Sequence, residues 1–171
     1  PMKKTLDFFS RRKYELLLFA LLQHLFIGVF LSDLPFYTRV IWPINMLILG
    51  IASGGIFLEK GKWKNIVRNF LVLLVLALPI SLPFLNHLPH FMSILSLIYV
   101  GFFTFIFWEI IKFLIRPGYI NVDIISASAC GYFLLIEISV FLMQVFFYYN
   151  PNSFKGVDIS NPASTYIDLV Y

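Results

Sequence analysis

The sequence predicts an all-α integral membrane protein, a helical bundle of five transmembrane helices. Three observations predict it. The first is composition: 60% of the 171 residues are hydrophobic and only 13% are charged, with a mean hydropathy of +0.85. Soluble domains run at about 45–50% apolar and about 25% charged. A globule of about 150 residues buries only about 70% of the surface its unfolded chain exposes, so this much apolar surface has nowhere to hide from water. A soluble enzyme and a disordered chain are both excluded as expectations. The second observation is five apolar stretches, each near the roughly 20 residues that cross about 30 Å of hydrocarbon. The third is the placement of the cations, which alternates from loop to loop.

In chain order, residues 1–14 form a basic cytoplasmic segment, with Pro1 ahead of Met2 read as a cloning remnant. Thr5 to Tyr14 mixes Leu6, Phe8 and Phe9 with Arg11, Arg12 and Lys13. Two readings stay open there, a short helix lying in the membrane interface and a frayed basic tail. The first four spans, within residues 15–118, are expected at Glu15–Leu31, Val40–Leu58, Ile66–Phe84 and Phe91–Phe113. The fifth, within residues 119–150, is expected at Ile124–Tyr148. Breakers fall between them: Asp33-Leu34-Pro35, Glu59 to Lys62, Pro83 to Pro89, Arg116-Pro117-Gly118 and Asn150-Pro151-Asn152. Residues 151–171 make an extracytoplasmic tail. No small-residue cleavage site follows the first stretch, and four more spans come after it, so it is not read as a signal peptide.

The cations set the orientation. Lys3, Lys4, Arg11, Arg12, Lys13, Lys60, Lys62, Lys64, Arg68, Lys112 and Arg116 fall on one side; Arg39 and Lys155 fall on the other. Cytoplasmic loops carry the excess of Lys and Arg. The N-terminus is therefore expected in the cytoplasm and the C-terminal end outside, in a multi-pass inner (plasma) membrane protein. The net charge of +4 becomes an orientation signal, and no nucleic-acid partner is expected. Lys112 and Arg116 are cytoplasmic anchors. Trp63, Trp108, Tyr14, Tyr37, Tyr148 and Tyr149 fall near span ends, as an interfacial aromatic belt requires.

Ionisable and amide side chains inside a membrane are expensive and mark candidate sites. Glu137 stands near the centre of the fifth span, where it is open to two functional readings, a proton-binding site or a partner of His24 or Gln23 of the first span. Its structural reading is a carboxyl that ties two helices together. Gln23, His24, Asn45 and Gln144 are expected as interhelical hydrogen-bonders, worth roughly 0.6 kcal/mol each. Glu109 is expected to pair with Lys112, one turn on. His87 and His90 form an H-x-x-H in an outer loop, too few ligands for a zinc site. The one cysteine, Cys130, allows no intrachain disulfide. No serine or cysteine has a general base in view, so no catalytic residue, metal or cofactor is expected and the chain is read as a non-enzyme. Gly50 and Gly54, and the pairs Ser126/Cys130 and Ala127/Gly131, offer small residues four apart for close helix approach.

The stretch VDIISASACGYFLL (Val122–Leu135), then NPNSF (Asn150–Phe154) and TYIDLVY (Thr165–Tyr171), resembles bacterial potassium-channel-like proteins with four N-terminal helices ahead of a pore domain. The resemblance implies a four-helix front part, an outer pore helix at the fifth span, and a short C-terminal pore-helix stub starting around Thr165 and Asp168. It implies a tetramer, with potassium as the ion of a full-length form. A potassium filter is a ring of backbone carbonyls, and no T-x-G-Y-G precedes Tyr171, so this chain is expected not to conduct as it stands. A voltage sensor needs several cations in the field, and Phe91 to Ile111 holds no Arg or Lys; voltage gating of the usual type is not expected. The alternatives are a small polytopic transporter using a midplane Glu137, and a non-catalytic membrane scaffold.

Overall fold

The computed structural model describes residues 2–30, 36, 40–57, 65–66, 69–70, 73–74, 77, 80–81, 84, 87, 90–116, 118–160 and 162–171. Among the described residues the secondary structure is helical throughout. Six α-helices run in the order α1 (Met2–Arg11), α2 (Lys13–Phe30), α3 (Trp42–Gly54), α4 (Phe91–Ile115), α5 (Val122–Tyr149) and α6 (Pro162–Val170). Short 3-10 turns follow α3 and α5, at Gly55–Phe57 and Pro151–Ser153. Of the expected third span, Ile66–Phe84, nine of nineteen residues are described and all nine are helical; the rest lie outside the described residues.

Residues 2–11 are helical, where a frayed tail was one of the two readings left open. Lys13–Phe30 starts two residues before the expected first span, Phe91–Ile115 ends two residues after the expected fourth, and α3 is shorter than the expected second span. Helix α5 starts where Asn121 caps it, its side-chain oxygen accepting from the Ile124 N–H at 3.0 Å. An N-cap of this kind satisfies one of the donors orphaned at a helix start. Asp123 in the first turn sits well against the positive end of the helix dipole. Helices α4 and α5 are each long and apolar enough to cross a membrane; α3 is a shorter apolar helix.

Helix directions follow from the cross-helix bonds. A Cβ on Gly55 would lie 3.6 Å from the Cβ of Lys13, and Leu16 and Phe19 share a groove with Ile48, Ile51 and Ala52, so α2 and α3 are antiparallel. Ser93 Oγ donates to the Val145 carbonyl at 3.0 Å and Ser96 Oγ to Gln144 Oε1 at 3.3 Å, so α4 and α5 are antiparallel. Cys130 Sγ donates to the Tyr14 carbonyl at 3.3 Å while His24 meets Glu137 further along both helices, so α2 and α5 run parallel.

The core is a stripe on each helix. On α5 it comprises Ser126, Ala127, Cys130, Gly131, Leu134, Glu137, Val140, Phe141, Gln144 and Phe147, the 3.6-residue period of one face. Both small-residue pairs of α5 belong to it. A Cβ on Gly131 would stand 3.8 Å from Phe107 and 3.9 Å from Ile110, ordinary contact distances. Gly131→Ala is therefore expected to leave stability within about 0.5 kcal/mol of the native chain, as unstrained substitutions do. Gly131→Leu has no such room and is expected to cost about 1–3 kcal/mol by overpacking. Unfolding in mixed micelles checks both.

Candidate functional site

Three helices bring one fully buried side chain each to a single point. His24 extends the α2 stripe of Tyr14, Leu17 and Leu21; Glu137 sits mid-way along the α5 stripe; Tyr166 comes from α6. His24 Nδ1 lies 2.5 Å from Glu137 Oε1. The Tyr166 hydroxyl is 3.0 Å from His24 Nδ1 and donates toward the two Glu137 oxygens at 3.2 and 3.1 Å. A buried carboxyl away from water is held only where its oxygens are hydrogen-bonded, and here an imidazole and a phenol supply the partners. The rings of His24 and Tyr166 stand 5.0 Å apart and tilted, so the same pair also packs.

Tyr166 gets there because the chain turns back after α5. Asn150 Oδ1 accepts from the Asn152 N–H at 3.2 Å and closes the turn. Asp158 then clips the loop to α6: its N–H donates to Asp168 Oδ2 at 2.7 Å, and its carbonyl accepts from Thr165 Oγ1 at 2.7 Å. Helix α6 runs down α5, with Leu169 and Val170 in one groove with Ile136 and Val140. At its end the Tyr171 hydroxyl donates to the Leu25 carbonyl, one residue from His24. Thr165 and Asp168 thus hold the loop. They do not open the helix, which begins at Pro162, three residues before Thr165. Proline suits a first helical turn, where its missing N–H has no acceptor anyway.

The Ser160 hydroxyl and N–H both donate to Asp158, at 2.7 and 2.8 Å, and hold its carboxyl below the usual carboxylate range. A folded value depressed in this way contributes stability above the unfolded value of about 3.9, lost as pH falls through the folded one. Ser160→Ala is expected to raise the Asp158 midpoint, read by carboxyl-carbon NMR titration. An unchanged midpoint would show that the Ser160 hydroxyl has no part in the shift.

The other expected residues go elsewhere. Gln144 is buried against Ser96 of α4, away from Glu137. Lys112 Nζ donates to Glu109 Oε1 at 2.8 Å, the local pair expected, and Arg116 is exposed at the end of α4. Among the described residues no interhelical hydrogen bond of Gln23 or Asn45 is found. Gln23 Oε1 and Asn45 Nδ2 are buried without a partner among the described residues, as are His24 Nε2 and Trp42 Nε1. His87 is exposed, while His90 stands just before α4 at φ 65° with its ring 5.8 Å from Tyr149. Among the described residues no group of three His, Cys, Asp or Glu gathers to hold a metal.

Sequence reasoning missed Tyr166 and Trp42. Nothing local marks Tyr166, one of nine tyrosines in an aromatic-rich chain; a buried carboxyl needing a second donor was the available signal. What the cluster can do is share protons among imidazole, carboxyl and phenol, and fasten α2, α5 and α6 to one another. Searches against family models, curated proteins and solved structures find nothing that matches this chain.

Proposed function

We propose that the chain is the membrane domain of a potassium-channel-like protein. In this reading five spans cross the inner membrane with the N-terminus cytoplasmic; α5 is the outer pore helix and α6 the beginning of a re-entrant pore helix. The observation that carries it is the path of α6. It leaves the far end of α5, runs back along it, and ends beside Leu25 at the depth of the His24–Glu137 pair. Non-spanning backbone at membrane depth is tolerated only where protein buries it or a water-filled cavity receives it. The directions of α2, α3, α4 and α5 also suit alternate crossing. Potassium is the ion and a tetramer the assembly this reading calls for.

The test is the coding sequence past Tyr171 followed by flux. The expected result is a G-Y-G within about a dozen residues and then an apolar span, the parts that a carbonyl-ring filter needs. The full-length protein is then expected to pass potassium in proteoliposomes, and the 171-residue chain is expected not to. A stop codon at that point would sink the channel reading. The buried His24–Glu137–Tyr166 cluster favours a second reading, a proton-coupled transporter. That reading requires substrate uptake abolished by Glu137→Gln; unchanged uptake removes it.

A further inference from the structure

We propose that Gln23, His24, Trp42 and Asn45 form a hydrated site inside the bundle, where ordered water bridges α2 and α3 and reaches the Glu137 carboxyl through the His24 ring. The starting point is four of the buried polar atoms that have no hydrogen-bond partner among the described residues: Gln23 Oε1, His24 Nε2, Trp42 Nε1 and Asn45 Nδ2. His24, Trp42 and Asn45 are each buried as whole residues. Four such atoms in one protein are costly, at about 1–3 kcal/mol for each group left unsatisfied.

They also share one level. Gly55 of the turn after α3 stands beside Lys13 at the start of α2. Asn45 is ten residues back from Gly55, and Gln23 ten residues on from Lys13, so both rise about 15 Å along antiparallel helices. Trp42 and His24 fall within about one turn, or 5.4 Å, of that level. Trp42 and Asn45, three apart, belong to the same buried face of α3.

The chemistry of the four atoms selects the occupant. Indole Nε1 and amide Nδ2 only donate, Gln23 Oε1 only accepts, and a neutral imidazole bonded through Nδ1–H leaves Nε2 as an acceptor. Two donors and two acceptors at one level make a poor cradle for a bare cation or an anion. It suits water, which gives and takes in equal number and commonly makes about three bonds when buried. Because Nδ1 of the same ring lies 2.5 Å from Glu137 Oε1, water on Nε2 stands one imidazole away from the carboxyl.

The test uses the whole chain in lipid nanodiscs and needs no added ligand. In solid-state NMR, magnetisation from water is expected to reach the Trp42 Nε1–H and Asn45 Nδ2 protons several-fold faster than the backbone amides of Tyr99 and Phe103 in the aromatic core. Equal build-up would overturn the proposal, since the layer would then be dry and the four atoms satisfied by protein. Radiolytic hydroxyl labelling gives a second readout. Trp42 and the adjacent Met46 are expected to be labelled several-fold above Tyr99, and Gln23→Leu with Asn45→Leu is expected to abolish that excess. Labelling that persists in a folded double variant would trace the water to another route and also overturn the proposal.

Discussion

Glu137→Leu is expected to destabilise the bundle by about 2–4 kcal/mol and to loosen α6 from α5. The leucine removes the acceptor of both His24 Nδ1 and the Tyr166 hydroxyl, which stay buried at its side. Two orphaned groups at roughly 1–3 kcal/mol each set the upper range. Interhelical hydrogen bonds measured in membranes, about 0.6 and at most about 1.7 kcal/mol each, pull the figure down. Glu137→Gln keeps the shape and one oxygen, so it is expected to lose about 1 kcal/mol, the net value of one bond. Tyr166→Phe should fall in the same range. Unfolding of the purified protein in bicelles reads all three. The informative variant is His24→Leu, Glu137→Leu and Tyr166→Phe together. Replacing every partner by an apolar group leaves nothing unsatisfied and is expected to regain most of the loss. If the triple variant is as unstable as the sum of the singles, the cluster is not a coupled unit.

The elements of this fold were in part legible because long apolar runs and caps mark helices in plain terms. Ile124–Tyr148 was read from hydropathy, and the helix adds only Val122, Asp123 and Tyr149. The pairing of His24 with Glu137 was legible for a related reason: two ionisable groups in apolar spans have few other places to go. Which face of each helix turns inward was not legible. Helix α5 is apolar on both faces, so Leu134, buried, and Leu135, exposed, look alike in sequence. The loss of periodicity also hid Trp42, whose indole nitrogen faces inward from an otherwise ordinary apolar helix. A C-terminal helix was expected around Thr165 and Asp168, but its start at Pro162 and its hold on Asp158, four residues outside it, were not legible, because they rest on two bonds that no spacing rule announces.

Phe141→Ala is expected to cost about 3–5 kcal/mol, the range for emptying a buried aromatic site. Its ring lies 5.1 Å from Tyr99 and 5.4 Å from Phe103, both of α4, and 5.8 Å from Tyr166 of α6. Tilted aromatic pairs at these separations add about 0.5–1.5 kcal/mol beyond buried area. Phe141 therefore joins three helices at once, beside the cluster that Glu137 centres. The loss comes from packing: lipid tails are as apolar as the core, so burial alone drives little association inside a membrane. Phe146, five residues on, separates the two effects. It is 58% exposed on the outer face of α5, and Phe146→Ala is expected to change stability by less than about 0.5 kcal/mol. Phe141→Leu, which keeps most of the volume, is expected near 1.5 kcal/mol or less. Equal losses for Phe141→Ala and Phe146→Ala would mean that the α4–α5–α6 ring cluster is not what holds α6 down. In that case Tyr166 would be kept at Glu137 by its hydroxyl alone, and Tyr166→Phe, not Phe141→Ala, would release the helix.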